Sequence, residues 1–224
     1  MAKRKILFSI IFTILGLIAF QVSISQIIGS NQNFTFFELL GPIGGMFLGP
    51  VLGAISAFFV RILNIVIFHQ PLDFLTIVRF LPAILAAVYF GSKQKKIAII
   101  FPICIVLFLL NPIGRQAWLY SLIWLIPFIA TFGKKRLILN SLGATFTAHA
   151  VGSVIFLYSF GLTPAIWLSL IPVVFVERGF FTIGIWASCF TFNFVLDKVA
   201  NFKFASSLKP FVKTELLLNA RQSN

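Results

Sequence analysis

Acidic residues are scarce in this 224-residue chain: five Asp and Glu stand against 18 Lys and Arg, a formal net charge of +13. Charged residues of either sign make up only 10% of the sequence, against roughly a quarter in soluble domains. That deficit excludes an ordinary soluble domain. The two cysteines, Cys104 and Cys189, lie in apolar runs with no CxxC or histidine spacing, which argues against a metal site or a disulfide framework. No HExxH, paired-glutamate, nucleophile-elbow or phosphate-loop pattern occurs, so no catalytic residue, metal or cofactor is expected. Long linkers and low-complexity tracts are missing too.

What is present is apolar. Hydrophobic residues are 59% of the chain, phenylalanine alone supplies 29, and the mean hydropathy is +1.03. These values predict an all-α fold, a polytopic integral membrane helical bundle with Gly/Pro-broken helices. The basic excess clusters between apolar runs and at the two ends, so it reads as topology and not as a nucleic-acid footprint. Lys3, Arg4 and Lys5 precede a first span over 6–28, longer than a signal-peptide core and read as retained. Further spans are expected over 35–48, 50–68, 74–90, 97–110, 116–132 and 137–160. A final apolar run, 165–196, is interrupted by Pro172 and by Glu177-Arg178-Gly179. It is expected as a broken or tilted crossing, or as an interfacial piece followed by a span. That makes about eight segments, within a range of six to eight. Polar turns are expected at 29–33 and 69–73, and basic loops at 92–96 and 133–136. The positive-inside rule places those loops and both termini on the cytoplasmic side of the cell membrane. Residues 1–197 read as one transmembrane domain and 198–224 as a basic cytoplasmic tail, suited to lipid headgroups.

The stretch 34–69 organises the rest. Small residues recur at Gly41, Gly45, Gly49, Gly53 and Ala57, a spacing that puts a smooth stripe on one helix face. Gly41-Pro42 and Gly49-Pro50 predict breaks, because proline lacks a backbone donor and disfavours helix in the residue before it.

Six ionisable residues lie inside apolar segments: Glu38, Arg61, Arg79, His149, Glu177 and Arg178. A charge at the bilayer centre costs at least about 2.5–3.5 kcal/mol, so such side chains face the bundle interior, paired or functional. By position along their segments all six can meet in the outer half or near the middle of the bundle, as a substrate-binding pocket open to the outside. The competing reading is structural: Arg61 or Arg79 pairs with Glu38, and Arg178 with Glu177 or a backbone carbonyl. Three arginines against two glutamates leave one cation over, which favours an anionic group on a ligand. His149 with Ser153, four residues on, is a weak signal for hydrolysis, since no oxyanion hole or orienting group is evident. Trp118, Trp124, Trp167 and Trp186, with Tyr89, Tyr120 and Tyr158, suit an interfacial belt. Trp167 is also placed to stack on a flat ligand ring.

The run Phe36-Phe37-Glu38-Leu39-Leu40-Gly41-Pro42, followed by Met46-Phe47-Leu48-Gly49-Pro50-Val51-Leu52-Gly53-Ala54, resembles the early spans of S components of energy-coupling-factor (ECF) transporters. The apolar span from Leu81, ending in Tyr89-Phe90-Gly91 before lysines, is similar to that family's cytoplasmic span ends. The resemblance covers roughly 35–96. It implies a small bundle that captures a vitamin-like solute or metal-related compound from outside and passes it inward with a membrane coupling subunit and two ATPases. It also implies that small-residue faces dock on the partner, here Gly45, Gly49, Gly53 and Ala57, or Ala83 and Ala87. The family has six spans, and the Ala-x-x-x-Ala of its first helix is replaced here by Gly16-x-x-Ala19.

The leading expectation is therefore a non-enzymatic, substrate-binding membrane subunit of a solute transporter. The alternatives are a membrane scaffold with structural buried charges and, third, an intramembrane enzyme.

Overall fold

The computed structural model describes residues 2–26, 33–70, 72–92, 95–133 and 136–217. Helix α1 (Ala2–Phe20) leads into a hairpin of β1 (Ser23–Gln26) and β2 (Asn33–Thr35). Short helices α2 (Phe37–Leu40) and α3 (Ile43–Leu48) precede α4 (Pro50–Ile67), α5 (Phe74–Val78) and α6 (Phe80–Gly91). A 3-10 turn (Lys95–Ile99) opens α7 (Ile100–Leu110), followed by α8 (Pro112–Gln116), α9 (Trp118–Leu122) and α10 (Leu125–Thr131). Two long helices close the fold, α11 (Leu137–Ser159) and α12 (Pro164–Ala200), before a 3-10 segment (Lys203–Phe211). Among the described residues the fold is all-α apart from the hairpin, and three helices, α4, α11 and α12, are long and apolar enough to cross a membrane. Large apolar side chains such as Val51, Val66, Ile129 and Val176 stand exposed on the outside of the bundle.

Gly49-Pro50 breaks the helix as expected, whereas Gly41 and Pro42 keep helical backbone angles and only interrupt the run between α2 and α3. Gly49 sits at φ 84°, a conformation that glycine adopts without steric cost, and Pro50 starts α4 where its missing N–H is not needed. The chain reverses there, and the small residues close the seam. A Cβ on Gly53 would run into the backbone of Gly44 and Gly45, and one on Gly45 into the α6 backbone at Ala87 and Gly91. Gly45, Gly53 and Ala57 are buried, as are Ala83 and Ala87. The small-residue stripe is thus largely spent on the chain's own packing: of the residues expected to dock a partner, Gly45, Gly53, Ala57, Ala83 and Ala87 are buried, while Gly49 is part-exposed.

Other departures have local causes. The first span does not run to residue 28; α1 stops at Phe20, and Ser23 pairs with Thr35, Ser25 with Phe34 and Gln26 with Asn33. Gln21-Val22-Ser23-Ile24-Ser25-Gln26 alternates polar and β-branched residues, the period of a strand. The segment 74–90 bends at Arg79, where the N–H missing from Pro82 leaves the Val78 carbonyl without its i+4 donor. In 116–132, Pro127 likewise spares the Ile123 carbonyl, and the chain turns at Ile123–Trp124 with i to i−3 bonds, Trp124 N–H to the Ser121 carbonyl at 3.2 Å. The final run is neither broken nor divided: α12 continues through Pro172 for 37 residues. The turn expected at 29–33 falls mostly in 27–32, which, with Pro71, Lys93, Gln94, Lys134, Lys135 and 218–224, lies outside the described residues.

The described part of the tail packs on the bundle. Leu208 is fully buried, and Phe211 packs on Phe8 with ring centroids 4.8 Å apart. Asn193 on α12 clamps the tail backbone, its Nδ2 donating to the Lys213 carbonyl at 2.9 Å and its Oδ1 accepting from the Lys213 N–H at 2.7 Å. Asn193→Ala leaves both backbone groups of Lys213 without their partner, a cost of about 1–3 kcal/mol. Limited proteolysis within 203–213 is expected to accelerate while the rest of the bundle stays resistant.

Candidate functional site

A cavity of about 140 Å³ lies between the hairpin, α2, α4, the α5–α6 bend, α9, α11 and α12. All six ionisable residues singled out above line it: Glu38, Arg61, Arg79, His149, Glu177 and Arg178. They come from sequence positions 140 apart, so only the folded chain brings them together. Glu38, Arg61 and Arg79 also line a second, more polar cavity of about 400 Å³, with Ser23, Asn33, Thr35, Asn64 and Gln70 among its walls. This charged trio therefore borders both chambers.

Periodicity on the long helices builds most of the wall. On α12, Trp167, Leu170, Val174, Glu177 and Arg178 fall at i, i+3, i+7, i+10 and i+11, one helical face. On α11, His149, Gly152, Ser153 and Phe156 do the same. Strand β2 contributes Phe34, and the α5–α6 bend brings Arg79 and Pro82.

Two of the arginines are paired. Arg61 Nη2 lies 3.0 Å from Glu38 Oε1, and its guanidinium sits over the rings of Phe20 and Phe37 at 5.3 and 5.6 Å. Arg178, only 4% exposed, donates from Nη2 to Glu177 at 2.7 Å and from Nη1 to Thr145 Oγ1 at 3.2 Å. Phe181 and Phe34 lie 4.5 and 5.1 Å from its guanidinium carbon. Arg79 forms no ion pair among the described residues. Three buried donors along this wall have no partner: Arg61 Nε, Arg178 Nε and Trp167 Nε1. Outside the long helices, Asp73 accepts from the Thr76 side chain and backbone, which holds its carboxyl below the ordinary value.

In the cavity wall, the hydrogen-bond partners of His149 fix its protonation state. Trp124 Nε1 donates to His149 Nδ1 at 3.1 Å, and indole has no acceptor to offer in return. Nδ1 is therefore unprotonated, the ring is neutral, and its proton sits on Nε2. From there it points to the Tyr120 hydroxyl at 3.0 Å, which shares a hydrogen bond with Ser153 Oγ at 3.2 Å. A protonated Nε2 cannot take the Ser153 proton, so this pair does not form a nucleophile and its general base.

Sequence reasoning placed Trp124, Trp167, Tyr89 and Tyr120 at the interface, and that is corrected. All four are buried, with exposures of 4% or less. Trp118, Trp186 and Tyr158 are exposed, as a belt requires. The signal that finds the buried set is Tyr120 and Trp124 at i, i+4, matched to His149 and Ser153 at i, i+4 on the facing helix. Among the described residues no cluster of His, Cys, Asp and Glu is arranged to hold a metal, and Cys104 and Cys189 are both buried.

Fold and site together define a helical protein with long apolar helices around an arginine-rich, aromatic-walled cavity. An uncharacterized protein of Methanocaldococcus jannaschii is 27% identical over 180 residues, which cover 70% of this chain. The match spans 60% of the relative's own length. No family model matches the chain, and no solved structure matches it.

Proposed function

We propose that this chain is the substrate-binding membrane subunit of a small-solute uptake transporter, energised by partner ATPases through a membrane coupling subunit. The observation that carries the reading is convergence. Six costly intramembrane ionisable groups, spread over the sequence, share one cavity that also holds unpartnered donors. The proposal includes a cell-membrane location with both termini inside and about eight segments. The shorter apolar helical stretches Phe37–Leu48, Thr76–Gly91, Lys96–Leu110 and Trp118–Thr131, beside α1, supplement the three long helices. Exposed apolar side chains would face lipid, and the exposed Lys203 and Lys209 suit anionic headgroups. The S-component resemblance and the lack of any nucleotide-binding motif support external energisation.

The scaffold reading is favoured by one observation: both carboxylates are already paired, Glu38 with Arg61 and Glu177 with Arg178. Against it stand the unpaired Arg79 and the cavity itself.

Gly152→Cys separates the two. Gly152 lines the cavity, and a Cβ there meets nothing nearer than Pro82 Cγ at 3.9 Å. A membrane-impermeant thiol reagent added outside is expected to label it, while the buried Cys104 and Cys189 leave the unsubstituted chain unlabelled. Co-purification of the native chain with a membrane partner and a pair of ATPases completes the test. An unreactive Gly152→Cys, together with recovery of assembly proteins alone, would establish the scaffold instead.

A further inference from the structure

Resting on the pocket reading above, we propose that the cavity selects a monoanionic compound built on a single ring, rich in hydrogen-bond acceptors and poor in donors.

The charge follows from the lining. Arg61, Arg79 and Arg178 face Glu38 and Glu177, and His149 is held neutral by its bond from Trp124. The surplus is one positive charge, and a ligand carrying one negative charge cancels it. A dianion such as a phosphate monoester would overshoot, leaving a buried net negative charge beside two carboxylates.

The hydrogen-bonding character follows from the unpartnered groups. Arg178 Nε and Trp167 Nε1 belong to side chains 4% and 2% exposed. Each is a donor with no acceptor function, and each pays a desolvation cost until an acceptor arrives. With Trp124 donating to His149 and His149 to Tyr120, the Tyr120–Ser153 pair uses one hydroxyl hydrogen between its two oxygens and leaves the other to be given. A ligand that brings its own donors meets donors again at these positions.

The body follows from size and wall. The cavity, about 140 Å³, is close to the ~150 Å³ that admits benzene in a dry protein interior. Phe34, Tyr120, Phe156 and Trp167 supply ring faces and edges, and Leu170 and Val174 supply aliphatic wall. Arg79, bordering both chambers and in no ion pair among the described residues, is the guanidinium left to meet the carboxylate.

Protection of Gly152→Cys against the thiol reagent tests this in the full chain in nanodiscs, with benzoate, benzamide, benzylamine and phenyl phosphate as probes. Benzoate is expected to protect at concentrations at least tenfold lower than the neutral, cationic or dianionic probe. Arg79→Gln, added to the same chain, is expected to raise the benzoate requirement to that of benzamide. Trp167→Phe, which keeps a ring but removes the donor, is expected to raise it severalfold. Equal or better protection by benzamide, benzylamine or phenyl phosphate overturns the proposal. So does a cysteine that labels freely whatever is added, an outcome that rejects this ligand class while the pocket stands. A cysteine that never labels rejects the pocket reading, and the ligand class falls with it.

Discussion

Gly45→Ala is expected to unfold the seam on which the bundle is built, at a cost above about 3 kcal/mol, the upper end for overpacking. The reason is what the added methyl meets. At Gly45 it meets the carbonyl of Ala87 and the backbone nitrogen of Gly91, both belonging to α6. Backbone on one helix and backbone on the next leave no flexible side chain to swing aside. Gly91 returns the contact, since a Cβ there would lie 2.6 Å from the Gly45 carbonyl oxygen and 2.7 Å from Pro50 N. The control is Gly179→Ala within α12, where a Cβ meets nothing within 4 Å. With no steric penalty, alanine's helix preference is expected to stabilise by up to about 1 kcal/mol. Unfolding midpoints of the two variants in the same detergent are expected to move in opposite directions. Equal effects would mean that the seam is not as tight as its contacts indicate.

Arg178→Met is the second substitution with a large expected effect. Arg178 is buried, and its removal strips Glu177 of its counter-charge and Thr145 of its donor. Breaking a buried pair from one side costs about 3–5 kcal/mol, because the remaining charge stays desolvated. Glu177 is 24% exposed, so solvent relieves part of this and the lower end is expected. Removing both charges, Glu177→Gln with Arg178→Met, is expected to recover more than half of the lost stability, measured as the unfolding midpoint. The same double variant keeps the one surplus positive charge and Arg79 but loses the unpartnered Arg178 Nε, so benzoate is expected to protect Gly152→Cys only at severalfold higher concentration, which separates the pair's share in folding from its share in binding. If single and double variants lose stability equally, the pair is not energetically coupled.

The small-residue stripe shows how far sequence reaches. Its spacing correctly announced a close helix–helix approach, and Gly49-Pro50 correctly announced a break. What it faced was not legible. A four-residue repeat reports the smoothness of a surface, whereas its neighbour is chosen by the whole bundle, and here the neighbour is α6 of the same chain. The aromatic residues carry the same lesson. Trp124 near a span end suits a belt by composition, but the Ile123–Trp124 turn swings its indole into the core against His149. The hairpin was readable, since the alternation at 21–26 has the period of a strand, yet hydropathy alone absorbs those residues into a span.

By itself the sequence determined that the chain is built of apolar helices and that its few interior charges are costly, and their positions along the segments allowed those charges to meet. These follow from composition and from the free energy of burying charge, which need no coordinates. The tertiary structure decided the rest: which arginine pairs with which glutamate, that Arg79 is left without one, and that Tyr120, Trp124 and Ser153 surround His149. It also decided that two chambers meet at Glu38, Arg61 and Arg79. Pairing is a matter of ångströms between groups far apart in the chain, and a separation along the sequence carries no such distance until the helices have packed.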